Sequence, residues 1–311
     1  MARRRNPLVA WIVSTVSIAF CAIMSILPLP ACRFVGRALG IALYAVVPRV
    51  RRVALENLRA AYGETLSEGE LRSIARGAAM NVGIVAAEFA HLRRLTPDNI
   101  ARWTTVEGAE HLDRSRKGFF LVGAHLGNWE WMATVVKSLG FDVAEVVRPL
   151  DAPALNAFVE RERTSLGVRT IDKTGGGQEL MRLLKDGWVA GVLADQSPRD
   201  SAAPVTFFGR PCWATVAPAM VTLRLRVPMH VVTMTRNLDD RYTLRISPEV
   251  TVERTGDFRA DLLAITQRSQ DILEEHIRAH PEQWLWLHRR WKTRPRLEAE
   301  WDKKGAGNSG G

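Results

Sequence analysis

A chain of 311 residues with 47% hydrophobic and 24% charged residues is long enough for one large domain or two modest ones, and too apolar for disorder over most of its length. Lysine and arginine number 43 against 33 acidic residues, and the net charge of +10 points to a polyanionic partner, either nucleic acid or an anionic membrane surface. Three cysteines, Cys21, Cys32 and Cys212, exclude a disulfide framework and a cysteine-based zinc cluster. Ten tryptophans against three tyrosines suit a membrane interface, where one end of the indole is apolar and the other wet.

Arg3, Arg4 and Arg5 precede a stretch without charge that runs to Arg33. Its centre, Leu8 to Leu27, supplies the roughly 20 apolar residues that cross a bilayer at ~1.5 Å per residue. No A-x-A-like cleavage site follows, and two prolines crowd a lipoprotein-type site at Cys32, so an uncleaved N-terminal anchor is expected. Arg33, Arg37, Arg49, Arg51 and Arg52 put positive charge on the far side as well, which leaves open whether the helix spans the bilayer or lies in its interface. Phe34 to Val50 reads as a second membrane-contacting helix, so residues 1–50 form the anchoring region.

Residues 51–302 read as a soluble α/β domain. Val53 to Tyr62 has helical apolar spacing, and Ser67-x-x-Glu70 is a capping box opening a helix that continues toward Leu92. Phe119 to Ala124 is a short, wholly apolar run suited to a buried parallel strand. Helix is expected from about Gly127 to Ser138, then strand Val143 to Val147 and helix Ala154 to Ser165. Strand Val168 to Ile171, helix Gln178 to Lys185 and strand Trp188 to Ala194 follow. Val216 to Leu225 reads as helix, Met229 to Thr235 and Tyr242 to Ile246 as strands, and Phe258 to His280 as a long helix. This alternation predicts an α/β fold with a mostly parallel sheet flanked by helices. Residues 303–311 read as a disordered tail.

The chemistry concentrates after the first apolar strand. Gly123-Ala124-His125-Leu126-Gly127-Asn128-Trp129-Glu130 puts a histidine at a strand's carboxyl end, where reacting groups collect in open α/β sheets. With a helix beginning near Gly127, Glu130 sits on its first turn and can turn back to accept one imidazole N–H, freeing the other nitrogen as a base. The pattern is not H-E-x-x-H and shows no third ligand, so neither a metal nor a cofactor is expected. Gly175 to Gly177 reads as a flexible turn, lacking both the G-x-G-x-x-G spacing and the P-loop lysine. The indole- and arginine-rich Trp284 to Lys292 suits a membrane interface or a structural cap; with an anchor upstream, nucleic acid is not the expected partner.

These blocks together resemble the lipid A biosynthesis lauroyl/myristoyl acyltransferases of the lysophospholipid-acyltransferase-like superfamily. The resemblance covers about Leu8 to Pro295. It runs through Asn57-Leu58, the G-A-H-x-G-N-W-E block with its H-x4-E signature, Arg148-Pro149, Asp195-Gln196-Ser197-Pro198, Phe207-Phe208-Gly209 and Pro281 to Lys292. Trp284 and Trp291 depart mildly, standing where many members carry Tyr and Phe. The resemblance implies an enzyme on the cytoplasmic face of the inner membrane that moves a fatty acyl chain from acyl carrier protein to a lipid hydroxyl. In that reaction His125 is the general base and Glu130 orients it, with the oxyanion met by backbone N–H groups near Gly127 or by an arginine. It also carries activity to Arg163 and Asp195. Arg163 is expected to contact phosphate or carrier, and Asp195 to act directly or to pair with an arginine; Arg148 is a second phosphate-contact candidate. The surplus arginines are matched to anionic lipid and the acidic carrier protein. Two alternatives stand beside this reading: another acceptor, such as a lysophospholipid, an ornithine-type lipid or another glycolipid, and a membrane-tethered binding protein without chemistry. Acyl-chain length, oligomeric state and the choice between carrier protein and acyl-CoA as donor are not legible.

Overall fold

The computed structural model describes residues 6–306, apart from residues 64, 97, 114 and 117. Arg3, Arg4 and Arg5 lie outside it. Two apolar helices, α1 (Pro7–Ile26) and α2 (Leu29–Val46), come first, each long and apolar enough to cross a membrane. Asn6 caps α1, its side chain accepting from the Leu8 amide, and Pro28 starts the break between the two helices. α1 leaves Leu8, Trp11, Val16 and Ile26 exposed.

α2 is bound to the rest of the chain along one face. It packs on α4 (Glu68–Glu88) through glycines that allow backbone contact: a Cβ on Gly36 would stand 2.7 Å from the Gly83 oxygen, and one on Gly83 would stand 2.1 Å from the Gly36 oxygen. Small residues spaced four apart give this close approach in apolar helix pairs. Arg33 and Arg37 turn inward, Arg33 to Glu88 at 2.5 Å and Arg37 to Asp240, so these two charges serve the protein rather than the lipid. Glu88 also accepts from Asn128 Nδ2 at 2.7 Å and from the Tyr242 hydroxyl at 2.6 Å.

α3 (Pro48–Tyr62) and α4 lead into the sheet, and Ser67 and Glu70 form the expected capping box. The sheet has seven strands in the order β1-β9-β8-β2-β5-β3-β4. They are β1 (Thr104–Glu107), β2 (Phe119–Gly123), β3 (Val143–Val147), β4 (Arg169–Asp172), β5 (Val189–Leu193), β8 (Met229–Arg236) and β9 (Tyr242–Glu249). Only the β8–β9 pair is antiparallel, so the mostly parallel sheet stands as expected. Alternate residues of β2 enter two cores. Phe120 and Val122 meet α3, α4, α7 (Gly177–Lys185), α8 (Ala217–Leu225) and α9 (Phe258–Ala279); Phe119 and Leu121 meet α5 (Met132–Ser138), with α6 (Pro153–Thr164) behind it. Burial on both faces explains why β2 reads as an unbroken apolar run.

Four elements were not legible in the sequence. β1 is a four-residue edge strand. β6 (Ala202–Phe207) and β7 (Arg210–Thr215) form a separate hairpin whose turn residues, Phe208 and Gly209, both have positive φ, +52° and +68°. That is the geometry of a primed two-residue turn. A final helix, α10, covers Pro295–Ala306, so the tail expected to be disordered from Lys303 is helical to Ala306; residues 307–311 lie outside the described ones.

Candidate active site

The parallel register of β2 with β5 builds the site. Gly123 pairs with Leu193, so two residues further on His125 and Asp195 leave adjacent strands side by side at the carboxyl edge. His125 Nδ1 lies 2.8 Å from Asp195 Oδ1. The other oxygen, Oδ2, accepts from the His125 backbone N–H at 2.9 Å and from the Trp284 indole N–H at 2.8 Å. Burial works against the charge on Asp195, but the His125 charge and these three hydrogen bonds outweigh it and hold the carboxyl down to about 2. When the imidazole is neutral, the ionised Asp195 accepts the Nδ1 proton, which leaves the lone pair on Nε2. The Gln196 amide nitrogen faces that lone pair at 3.3 Å. Asp195 is 1% exposed and His125 19%, so the imidazole alone of the pair reaches solvent.

Glu130 does not brace His125. The sequence placed it on the first turn of a helix starting near Gly127, but α5 begins only at Met132. Gly127 is left-handed at φ +58°, and a Cβ there would stand 1.8 Å from the Met234 oxygen, so the chain crosses β8 in a turn that only glycine permits. Glu130 instead takes a bidentate grip from Arg163 on α6, at 2.8 and 3.0 Å. It also accepts from the Trp129 indole N–H at 3.1 Å. The Trp129 ring meets the imidazole edge-on, with centroids 5.3 Å apart, so Glu130 reaches His125 only through this indole. Glu145 on β3 lies 4.0 Å from the Arg163 Nε and competes for the same cation. Burial, only partly offset by Arg163, pushes Glu145 up to about 7, and the neighbouring Glu130 charge adds to the rise. Burial opposes the Arg163 charge, but Glu130 and Glu145 raise its pKa above the ordinary arginine value.

The Gly127 N–H, one of the amides expected to meet an oxyanion, is already bonded to the Gln283 carbonyl at 3.1 Å. The Leu126 and His125 amides are likewise engaged, by Ala124 and Asp195.

The segment Pro281 to Trp291 closes the site from behind. Leu126 bridges to Trp284, and the Leu285 N–H bonds the His125 carbonyl at 3.1 Å. Asn81 on α4 ties the Gly127 and Gln283 carbonyls together at 2.9 and 3.0 Å, and Asn57 ties those of Trp286 and His288, both at 2.6 Å. This explains the Asn57-Leu58 block: its asparagine fixes the turn that delivers Trp284 to Asp195. Trp284, Trp286 and Arg290 are buried, which makes this cluster a structural cap rather than an interfacial surface.

Of the sequence-predicted residues, the structure joins His125 directly to Asp195, and Glu130 directly to Arg163. Asp195 pairs with the histidine and not with an arginine. Arg148 stays apart, half exposed and bonded to Asp151 at 3.0 Å. Gln196, Trp129 and Trp284 were quoted only as parts of motifs; their contact with the dyad depends on strand order, which no local pattern reveals. Among the described residues, no group of three or more His, Cys, Asp or Glu could hold a metal ion.

The family model for bacterial lipid A biosynthesis acyltransferases matches residues 2–293. The chain belongs to that family. Relatives include the lipid A biosynthesis palmitoleoyltransferase of Escherichia coli (strain K12), 28% identical over 281 residues that cover 86% of this chain and 87% of the relative. A lipid A biosynthesis acyltransferase of Haemophilus influenzae is 28% identical over 277 residues, 86% of each chain. The phosphatidylinositol mannoside acyltransferase of Mycobacterium tuberculosis is 24% identical over 196 residues, covering 60% of this chain and 59% of its own. As a member of the family the chain is an acyltransferase of lipid A biosynthesis, and His125 and Asp195 fall within the matched region.

Proposed function

We propose that this acyltransferase works at a membrane surface, moving a fatty acyl chain from acyl carrier protein to a hydroxyl of a lipid A precursor, with His125 as general base. The observation that supports it most is the partly exposed imidazole held by Asp195 through Nδ1, with its Nε2 facing an amide donor. An acceptor hydroxyl takes the place of Gln196 at Nε2. As its oxygen attacks the thioester carbonyl, the proton passes to Nε2, and the imidazolium is stabilised by the adjacent carboxylate. Collapse of the tetrahedral intermediate expels the thiolate, which takes that proton back and leaves as a thiol. No Ser or Cys nucleophile is needed for direct transfer. Backbone amides of the Asn128–Glu130 turn, which make no hydrogen bond among the described residues, are the candidate oxyanion donors. Arg163, locked to Glu130, fixes the far wall of the site through Trp129.

The exposed apolar side chains of α1 and α2 support attachment to a bilayer. A carrier-protein donor then requires the sheet's carboxyl edge to face the cytoplasm. A second reading, a glycolipid acceptor other than lipid A, is favoured by the similarity to the mycobacterial phosphatidylinositol mannoside acyltransferases. Lipid mass spectrometry of a strain lacking the gene, complemented with the wild type or with His125→Ala, separates these readings. Loss of one acyl chain from lipid A, restored only by the wild type, is the expected result. Unchanged lipid A with another lipid altered would move the assignment to the second acceptor. Full complementation by His125→Ala would remove the general base.

A further inference from the structure

We propose that the hollow between α2, α3 and α4 is a second ligand site, one that takes a phosphate group carried on a lipid. It encloses about 930 Å³, and three guanidiniums border it, Arg51 from α3 and Arg72 and Arg76 from α4. Arg72 and Arg76 stand one helical turn apart, where like charges repel, so an anion between them relieves a cost built into the helix. None of the three makes a hydrogen bond or ion pair among the described residues; Arg72 acts only at a distance on the charge of Glu68. Their neighbours differ: Arg33, Arg37, Arg52 and Arg59 each meet a carboxylate. Three arginines without a carboxylate partner therefore border this one hollow. Glu282 is the single carboxylate on its wall, against three cations. A planar guanidinium binds phosphate oxygens in pairs, so three of them suit a phosphomonoester better than a carboxylate.

The wall between the arginines is apolar, formed by Tyr44, Leu55 and Met80. Tyr44 belongs to α2, whose exposed Leu39, Ile41 and Val46 carry that surface onward along a helix apolar enough to contact a bilayer. Charge selects an anion, and the apolar continuation selects one attached to a hydrocarbon chain. The site is separate from the His125 dyad, and its occupancy does not depend on acyl transfer. The two are nonetheless neighbours in the chain, since Glu282 on the hollow lies two residues before Trp284, which holds Asp195.

The test is titration calorimetry on the full chain in a neutral detergent. Dioctanoyl phosphatidate is the main probe, with dioctanoyl phosphatidylcholine, inorganic phosphate and non-acylated acyl carrier protein beside it. The wild type is expected to bind phosphatidate about tenfold or more tightly than phosphatidylcholine, and inorganic phosphate far more weakly. Arg51→Gln/Arg72→Gln/Arg76→Gln should weaken phosphatidate binding about tenfold or more and leave phosphatidylcholine unchanged, since each lost charge-assisted contact is about a decade in affinity. All three side chains are exposed, so circular dichroism and melting of the triple variant should match the wild type; if they do not, the single variants Arg72→Gln and Arg76→Gln carry the comparison. Equal phosphatidate affinity in variant and wild type would overturn the site. Inorganic phosphate binding as tightly as phosphatidate would overturn the lipid as its source. Carrier-protein binding lost in the variant while phosphatidate binding persists would hand the surface to a protein instead.

Discussion

Replacing Asp195 with asparagine tests the site at its most constrained atom. The carboxylate accepts three N–H groups, from His125 Nδ1, the His125 backbone and Trp284. An amide has one oxygen, so its NH2 must face at least one of these donors. With the oxygen kept on the two donors that cannot move their protons, the backbone and the indole, the NH2 points at Nδ1. The imidazole then carries its proton on Nε2 and has no lone pair for the acceptor. Where an aspartate holds a catalytic histidine, that exchange lowers kcat by about 10⁴-fold. A fall of about 10³- to 10⁴-fold is expected here, with KM for the acceptor little changed because Asp195 is 1% exposed. Single-turnover transfer from acyl carrier protein measures it, with a melting curve to show that the fold survives the loss of about 1–3 kcal/mol from imperfect hydrogen bonding. An Asp195→Asn enzyme within tenfold of the wild type would refute the tautomer reasoning.

Other outcomes follow from buried charge. Glu145, raised from 4.5 to about 7, favours folding while protonated; that contribution is complete below 4.5 and is lost as pH rises through 7. Glu145→Gln should therefore remove up to about 3 kcal/mol of decline between those limits and be the more stable protein above pH 7 in denaturation followed by circular dichroism; parallel pH curves would count against a protonated Glu145. Asp195 has the opposite sign, its contribution being present above 3.8 and lost as pH falls through about 2, so Asp195→Asn should flatten the acid limb of the same curve. Arg33→Ala leaves Glu88 buried without its cation and is expected to cost about 3–5 kcal/mol, whereas Arg33→Met/Glu88→Gln, which removes the charge and keeps an acceptor for Asn128 and Tyr242, should recover part of that loss. A single variant as stable as the wild type would show that the pair does not tie α2 to the core.

Strands with strong local signals were legible in the sequence: β3 has the bounds expected of it, and β2 and β5 differ by a residue or two. What local pattern could not carry was adjacency. Glu130, five residues after His125, looked like its partner because the glycine before it was read as a helix start. Gly127 is instead forced left-handed by the β8 backbone, and the turn sends Glu130 to Arg163. Asp195 follows an apolar run just as His125 does, but only the pairing of β2 with β5 shows that the two runs end side by side. The β6–β7 hairpin was missed because its primed turn places a phenylalanine at positive φ, where no turn rule expects one. Arg33 and Arg37 looked like membrane-flanking charges until their carboxylate partners, 55 and 203 residues away, came into view.

The position of one proton decides the mechanism most directly. In full-length protein labelled with ¹⁵N-histidine, long-range nitrogen–proton spectra near neutral pH should show His125 Nδ1 bearing hydrogen and Nε2 bare. A spectrum with the proton on Nε2, or one unchanged by Asp195→Asn, would contradict a base held ready by Asp195.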